Sequence, residues 1–206
     1  MTTITAPTRT VRAATDEDVA GIARVLALAF EHDPVAAWFL PRAHDRLAKL
    51  VRGFESVYVR RLSLPHGAVM TTDDHTGAAL WIPPENVHLG TLDELRLLPS
   101  LARMYGRGLP RALKGMGAMD AVHPHEPHYY LPIIGVDPAA QGQGIGSSLL
   151  RPVLERADRE GMPAYLEATT PRNRALYARH GFEDVDVLHL PYDGPPMWRM
   201  WREPKS

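Results

Sequence analysis

The sequence predicts a single α/β domain over residues 1–206, with a mixed, mostly antiparallel sheet flanked by helices. Of its 206 residues, 45% are hydrophobic and 23% are charged, which is typical of one globular domain. Strand-like and helix-like apolar patterns follow one another along the chain without a linker or an internal repeat. Residues 128–169 have the pattern strand, glycine-rich loop, helix, strand, which predicts one parallel pair within the sheet.

Composition argues against several classes of function and partner. The formal net charge is −1 at pH 7, so the overall charge favours neither nucleic acid nor an acidic membrane surface as a partner. The chain has no cysteine, which excludes disulfides, a thiol nucleophile and thiolate metal ligands. No apolar run reaches the roughly 18 residues of a membrane span, and the N-terminus lacks a signal-peptide pattern. We therefore expect a cytoplasmic protein.

The first part of the chain predicts a strand, two helices and a hairpin. Residues 10–15 alternate as a short strand, and residues 16–30 repeat apolar side chains at helical spacing. Pro34 is expected to end this helix or to force a loop, and a second helical pattern covers about residues 43–61. Residues 67–83 read as two short strands around a polar turn.

A helical region follows the hairpin. Its pattern covers residues 91–119 and opens with a capping box formed by Thr91 and Glu94. Pro99 and Pro110 remove backbone donors inside this pattern, so we expect several short helices rather than one.

The second half predicts four strands and two helices around the glycine loop. Residues 128–136 are a buried strand, in which Pro132 predicts an edge position, a bulge or a pair of splayed strands. The helix after the loop should kink at Pro152, and residues 163–169 form the next strand. A short helix capped by Thr170 and a terminal hairpin complete the pattern.

Residues 141–148, QGQGIGSS, have glycines at alternate positions directly before a helix. Amide N–H groups at a helix start are unpaired and, together with the helix dipole, favour a phosphate. A P-loop would need a lysine after its last glycine, and the chain has none between Lys114 and Lys205. A dinucleotide fold would need GxGxxG, whereas these glycines give GxGxG. A turn that only lets the helix and strand pack is the alternative.

The motifs around this loop resemble the GNAT superfamily of N-acetyltransferases. The loop fits the family pattern Q/R-x-x-G-x-G/A, and it lies between a strand ending IIGVDP and the later PRNRALYARHGF. ALWIPPE and PYDGPPMWRM extend the resemblance to puromycin N-acetyltransferases and their bacterial relatives. The resemblance implies the GNAT fold, acetyl-CoA as co-substrate, and acetylation of the primary amine of a small molecule, such as an antibiotic or amino-nucleoside, by direct attack.

The resemblance also implies the residues that contact acetyl-CoA. The loop positions that would cradle its phosphates are Gln141, Gly142, Gln143, Gly144, Ile145, Gly146 and Ser147. The N–H of Val136 would polarise the thioester carbonyl, and Ile134 would align the pantetheine. Asn173 and Tyr177 are four residues apart on one helix face, so a single ligand can meet both. Asn173 would contact the CoA arm and Tyr177 would protonate the thiolate, unless Tyr177 only packs at the edge of the core.

Glu167, in YLEAT, is a candidate general base that could accept the amine proton directly or through water. An ordinary charge at a strand end is an equally good interpretation of this residue. His128 and Tyr130 are the other candidates for the base. An amine with a lowered pKa would need no dedicated base at all.

The segment FEHDPVAAWF is where the resemblance implies the amine pocket. Asp33 could hold a cationic amine and Trp38 could form a wall, or the segment is a solvated loop with Trp38 in the core. One further cluster offers zinc ligands, at His123, His125, Glu126 and His128. Its prolines make a stiff loop rather than a helical ligand pair, so we predict no metal.

Two other functions stay open at this point. A GNAT-like domain can bind acyl-CoA as a sensor without catalysis, keeping Asn173 for the cofactor and Tyr177 for packing. A protein or peptide N-acetyltransferase would need an open groove, which the sequence does not reveal. Monomer and homodimer are both compatible with the sequence, because Trp198 and Trp201 suit a core or an interface equally well.

Overall fold

The computed structural model describes residues 9–41, 45–87 and 91–205, with the backbone alone at residues 91–94. Its strands are β1 (Val11–Ala13), β2 (Val69–Thr72), β3 (Gly77–Ile82), β4 (Tyr129–Val136), β5 (Ala164–Ala168), β6 (Glu183–His189) and β7 (Pro196–Arg202). They form one sheet in the order β1-β2-β3-β4-β5-β7-β6, and among these strands only β4 and β5 pair in parallel. The predicted sheet, mostly antiparallel with one parallel step, is confirmed.

Helices cover both faces of this sheet. They are α1 (Val19–Phe30), α2 (Pro34–Phe39), α3 (Arg46–Gly53), α4 (Thr91–Tyr105), α5 (Leu109–Asp120), α6 (Ile145–Arg159) and α7 (Pro171–Ala178). One core lies between the sheet and helices α1, α3 and α4, and a second lies under α6 and α7 on the other face. In the described part of the chain, no helix combines the length and apolar character that crossing a bilayer requires.

Pro34 fits the sequence interpretation, because α1 ends at Phe30 and a turn precedes this proline, whereas Pro99 does not fit it. Pro34 starts α2 as its first residue, because the Asp33 carboxylate caps the helix by accepting hydrogen bonds from two of its amides. Helix α4 continues through Pro99, so the predicted interruption there is wrong. The chain instead breaks at a short 3₁₀ turn, Gly106–Gly108, and Pro110 lies in the first turn of α5.

The predicted helix over residues 43–61 is observed from Arg46 onward. Its second half, Phe54–Ser63, is a ten-residue π-helix that continues directly from α3. Extended π-helix is rare and is associated with functional sites. The predicted start of this helix and the side chains of the Thr91–Glu94 capping box lie outside the described residues.

Strand β4 contains a bulge at Pro132. Leu80 of β3 pairs with Ile133 and Ile82 pairs with Tyr130, so β4 carries one extra residue between these two pairs. A bulge leaves one residue out of the ladder, which suits a residue without an N–H. On its other side, β4 pairs with β5 only as far as Leu131. Both a bulge and a splayed pair, two of the three structures that Pro132 predicted, are therefore present.

Candidate active site

A gap opens between β4 and β5 beyond Leu131, and the backbone of β4 points hydrogen-bond donors into it. The Asp137 N–H donates to the Thr76 carbonyl of the β3 side at 2.9 Å. Along an antiparallel pair, every second residue bonds to the partner strand. Because Asp137 bonds to the β3 side, the N–H groups of Val136 and Ile134 are not used in bonds to β3. Both N–H groups point away from β3, toward the side on which β5 has separated. This orientation is the one that their predicted roles require.

The glycine loop has the backbone conformation that its sequence needs. Gly142 and Gly144 have φ angles of 82° and 80°, in the left-handed region that L side chains rarely adopt. Gly144 is the N-cap of α6 and makes no side-chain cap, so the first amides of the helix point outward without an intrahelical partner. The alternating glycines therefore leave open backbone at a positive helix end, as an anion site requires.

Two arginines that sequence reasoning did not select flank this loop. The Arg9 guanidinium donates to the side-chain carbonyl of Gln143 at 2.7 Å, and Arg172 donates to that of Gln141 at 2.8 Å. Arg172 lies in the first turn of α7, directly before Asn173. Its position next to this predicted CoA contact is the only feature of the sequence that could have identified it. Arg9 comes from the far end of the sequence, and no motif points to it. Arg9 also forms an ion pair with Asp74 at 2.8 Å, which offsets its charge, so Arg172 adds most of the positive charge beside the open amides.

The Ser147 hydroxyl, expected near the phosphates, contacts His180 Nε2 at 3.0 Å. Burial lowers the pKa of His180, and the neighbouring Arg179 and Lys205 lower it further. A neutral imidazole can accept a hydrogen bond from the Ser147 hydroxyl. The serine oxygen would then remain free to accept a hydrogen bond from another group.

A cavity of about 360 Å³ lies between the gap and the helices that cover the sheet. It brings together six of the residues predicted from sequence, namely Asp33, Tyr130, Ile134, Glu167, Asn173 and Tyr177. Asp33 caps α2, and the other five come from β4, β5 and α7. The cavity continues between α2, the π-helical segment, α4 and α5, whose side chains form most of its wall.

Glu167 is the buried carboxyl group of this cavity. Its side chain is 2% exposed, and its Oε2 accepts a hydrogen bond from the Tyr130 hydroxyl at 3.0 Å. Its other oxygen, Oε1, is buried without a hydrogen-bond partner in the structure, with His123 Nδ1 3.9 Å away. Burial raises the pKa of Glu167 to about 7, against the opposing effect of the bond from Tyr130. Such a carboxyl group can both take and release a proton near neutral pH.

His123 and His128 form a hydrogen-bonded pair behind Glu167. His128 Nδ1 lies 2.6 Å from the Glu126 carbonyl oxygen, which can only accept, so this nitrogen carries the proton. The two Nε2 atoms are 3.1 Å apart. When both rings are neutral, His123 must therefore donate to His128, and its Nδ1 faces Glu167 without a proton. The described residues contain no group of three or more potential metal-ligating side chains.

Tyr177 lies on α7 and is 5% exposed. Thr170 caps this helix as predicted, since its side chain accepts a hydrogen bond from the Asn173 amide at 3.2 Å. Burial and the nearby Asp33 carboxylate raise the pKa of Tyr177. The phenol therefore keeps its proton at neutral pH and can donate it. Helix α7 also packs on the loop, because a side chain at Gly146 would lie 3.3 Å from Leu176.

Of the two residues predicted for the amine pocket, Asp33 lines the cavity and Trp38 lies in the core. Asp33 lines the cavity, but one carboxylate oxygen caps α2 and the other accepts a hydrogen bond from Thr169 at 2.6 Å. Trp38 is 6% exposed and packs with Val35, Leu190 and Met197, outside the described lining of the cavity. Of the other substrate-side candidates, Tyr130 lines the cavity and His128 lies behind His123.

Comparisons with known proteins agree with this fold. The sequence model of the Acetyltransferase (GNAT) family matches residues 84–182. The chain is similar to a crystal structure from Corynebacterium glutamicum described as histone acetyltransferase HPA2 and related acetyltransferase. That structure is 30% identical, with a TM-score of 0.75 and coverage of 96% of this chain and 97% of the other.

Two curated proteins are also similar. The chain is 27% identical over 201 residues to the Schizosaccharomyces pombe protein named Uncharacterized N-acetyltransferase C550.08, covering 92% of this chain and 81% of that protein. It is 42% identical over 80 residues to N-alpha-acetyltransferase RimI of Mycobacterium tuberculosis, covering 38% and 48% respectively. Together with the splayed strands and the glycine loop, these similarities show that the chain belongs to the GNAT family of N-acetyltransferases.

Proposed function

We propose that the protein transfers an acetyl group from acetyl-CoA to the primary amine of a small molecule, by direct attack of the amine. One observation carries this proposal: the open amides of the glycine loop, the donors of β4 and the buried groups Glu167 and Tyr177 surround one continuous gap and cavity. An anion site, a carbonyl polariser, a base and an acid are what this reaction needs.

The loop and its two arginines would hold the CoA phosphates. The outward amides at the start of α6 supply hydrogen-bond donors, Arg172 supplies charge, and Arg9, whose charge Asp74 offsets, supplies further N–H donors. Ile134 would bond the pantetheine along the free edge of β4, and Asn173 would contact it from α7. The Val136 N–H would stabilise negative charge that develops on the carbonyl oxygen.

Glu167 would act as the general base. An amine must lose its ammonium proton before its nitrogen attacks the acetyl carbon, and an ionised Glu167 can accept that proton. His123 Nδ1 lies 3.9 Å from the carboxylate, which is too far for direct proton transfer, so Glu167 would return its proton to solvent through a water between these two groups. The Tyr130 hydroxyl holds the carboxylate in place from the other side.

Tyr177 would act as the general acid. As the new carbon–nitrogen bond forms, the carbon–sulfur bond breaks, and the sulfur leaves as a thiolate that takes a proton from Tyr177. The nitrogen then loses its remaining extra proton, which restores the Tyr177 phenol. The buried phenol of Tyr177 keeps its proton at neutral pH and borders the same cavity as Glu167. Glu167 would therefore deprotonate the amine, and Tyr177 would protonate the leaving thiolate, within one cavity.

The form of the cavity favours a small molecule over a peptide as acceptor. Its volume of about 360 Å³ is that of a small-ligand site, and side chains of α2, α4 and α5 form part of its wall. RimI of M. tuberculosis is named an N-alpha-acetyltransferase, so short peptides belong in the test as competitors. A sensor that only binds acyl-CoA would have no need of a buried base beside the gap.

The experiment is a measurement of CoA release from acetyl-CoA with puromycin, polyamines, aminoglycosides, amino acids, monoamines and short peptides. Because the chain has no cysteine, a thiol reagent detects only the released CoA. We expect turnover with one class of small amine. Turnover with peptides alone would contradict the small-molecule acceptor, and tight acetyl-CoA binding without any turnover would favour the sensor.

A further inference from the structure

The cavity beside Glu167 has a predominantly apolar wall. Large apolar side chains line it from several elements, including Phe39 of α2, Phe54 and Val57 of the π-helical segment, and Leu101 and Met104 of α4. Polar lining groups are fewer and come from both sides, with Tyr130, Glu167 and Thr169 on the sheet side and Tyr58, Ser63 and Tyr105 on the helices. An apolar wall gains free energy by burying an apolar ligand, so the body of the ligand should be apolar.

Charge in the lining has one sign. Three carboxyl groups border the cavity, those of Asp33, Asp120 and Glu167, and no lysine or arginine is among the described lining residues. A ligand carboxylate would therefore be buried beside like charges without a cation to pair with. Both Asp33 oxygens already accept hydrogen bonds from the α2 amides and Thr169, and Asp120 is exposed, so a second ammonium group deep against the apolar wall would lose its hydration without a free carboxylate beside it. A single amine without a carboxylate avoids both costs.

The volume limits the size of the acceptor. A cavity of about 150 Å³ can hold benzene, so a volume of 360 Å³ corresponds to roughly fourteen non-hydrogen atoms inside the cavity, which is open at its mouth. The acetyl group must share this space. Amino-nucleosides and aminoglycosides are considerably larger.

We infer that the acceptor is a compact monoamine with an aryl or branched alkyl body and no carboxylate. This inference rests on the proposed function, because it assumes that the amine meets the acetyl group beside Glu167. It also narrows that function, since it sets aside the antibiotic and amino-nucleoside substrates that the sequence resemblance suggested. The unpartnered Glu167 oxygen gives the amine a hydrogen-bond acceptor, and the apolar wall holds the rest of the molecule.

The first test compares three amines on the full chain with saturating acetyl-CoA. 2-Phenylethylamine has the inferred chemistry, phenylalanine adds a carboxylate to the same body, and putrescine replaces the apolar body by a second amine. We expect kcat/KM for 2-phenylethylamine to exceed that for either of the others by about 100-fold. An equal or larger value for putrescine or phenylalanine would overturn the inference while leaving acetyl transfer intact.

The second test narrows the cavity. Leu101→Phe adds a ring at a lining position that is 7% exposed, and Leu98→Phe makes the same change on the same helix at a position 37% exposed and outside the described lining. We expect Leu101→Phe to raise KM for 2-phenylethylamine about tenfold, to affect the smaller isobutylamine less, and to leave KM for acetyl-CoA unchanged. Leu98→Phe should change none of these. Equal effects of the two substitutions would overturn the inference.

Calorimetric titration of the same amines into the protein with CoA bound separates this inference from the proposed function. Binding of 2-phenylethylamine in preference to phenylalanine and putrescine, without turnover of any amine, would support the pocket chemistry and contradict the transferase. Turnover of other amines without binding of 2-phenylethylamine would do the reverse. Absence of both binding and turnover for 2-phenylethylamine would overturn the inference.

Discussion

The two halves of the candidate site are built in different ways. The cofactor side consists mainly of backbone groups from consecutive residues, namely the end of β4 and the loop that leads into α6. The acceptor side consists of side chains that α2, the π-helical segment, α4, α5, β4, β5 and α7 bring together. Recognition by backbone groups needs glycines at fixed spacing, which can be recognised in the sequence as a motif. A pocket of side chains depends on the packing of distant residues, so no sequence motif marks it. We therefore expect substitutions on the two sides to affect different kinetic constants.

The largest effect should follow the loss of the buried carboxylate on the acceptor side. Glu167→Gln keeps the shape of the side chain but cannot take up the amine proton, so kcat/KM for the amine should fall by about 10²–10⁴. The affinity for acetyl-CoA, measured by calorimetry, should stay unchanged. Glu155→Gln on the exposed face of α6 is the matched control. A fall of less than threefold in the first variant would remove Glu167 from the chemistry.

Tyr177→Phe removes the proposed acid while preserving the buried ring. Because the hydroxyl acts on the departing sulfur rather than on the bound cofactor, we expect kcat to fall tenfold or more with acetyl-CoA affinity retained. Tyr192→Phe makes the same change at a position that is 66% exposed. Steady-state kinetics with both variants decide the point, and unchanged turnover in Tyr177→Phe would show that the tyrosine only packs.

On the cofactor side, we expect replacement of a glycine in the loop to weaken the binding of acetyl-CoA. Gly144→Ala places a side chain at φ of 80°, which strains the loop by about 1–2 kcal/mol and disturbs the amides behind it. KM for acetyl-CoA should rise about tenfold, while KM for the amine should change little. Gly117→Ala, inside α5 where an added Cβ meets nothing within 4 Å, is the control. A rise in KM for the amine alone would contradict the division of the site.

The smallest effect should follow Arg172→Gln. This arginine is exposed at the loop, so the loss of its charge should raise KM for acetyl-CoA only about two- to fivefold. The effect should shrink as salt is added, because salt screens exposed charges. Arg103→Gln, at an exposed position on α4, provides the comparison. A salt-independent effect would mean that Arg172 acts through the structure of α7 instead.

The contrast between the two sides also explains what the sequence could predict. Alternation and helical spacing predicted the sheet, the loop and the caps, and the missing N–H of Pro132 predicted the bulge and the splayed pair. All of these depend on groups close together in the chain. The π-helical form of Phe54–Ser63 and the passage of α4 through Pro99 depend on packing, and no local pattern reveals them.

Trp38 illustrates how distant residues decide a location. The sequence allowed either a pocket wall or the core, and the side chain packs in a small core cluster instead of the cavity. Added Cβ atoms at Gly115 and Gly194 would each lie 2.7 Å from its ring, so these two glycines provide the space for it. Both glycines are more than 70 residues away from Trp38 in the chain. The sequence around Trp38 therefore could not predict where its side chain packs.

The most direct test of the central claim is the pH dependence of kcat/KM for the best amine, in the native protein and in Glu167→Gln. The base works only when ionised, and burial raises its pKa to about 7. The rate should therefore rise with pH up to about 7 and level off above it, beyond the change that the amine's own titration gives to both proteins. The account predicts that Glu167→Gln lacks this limb. The same limb in both proteins would contradict the assignment of Glu167 as the base.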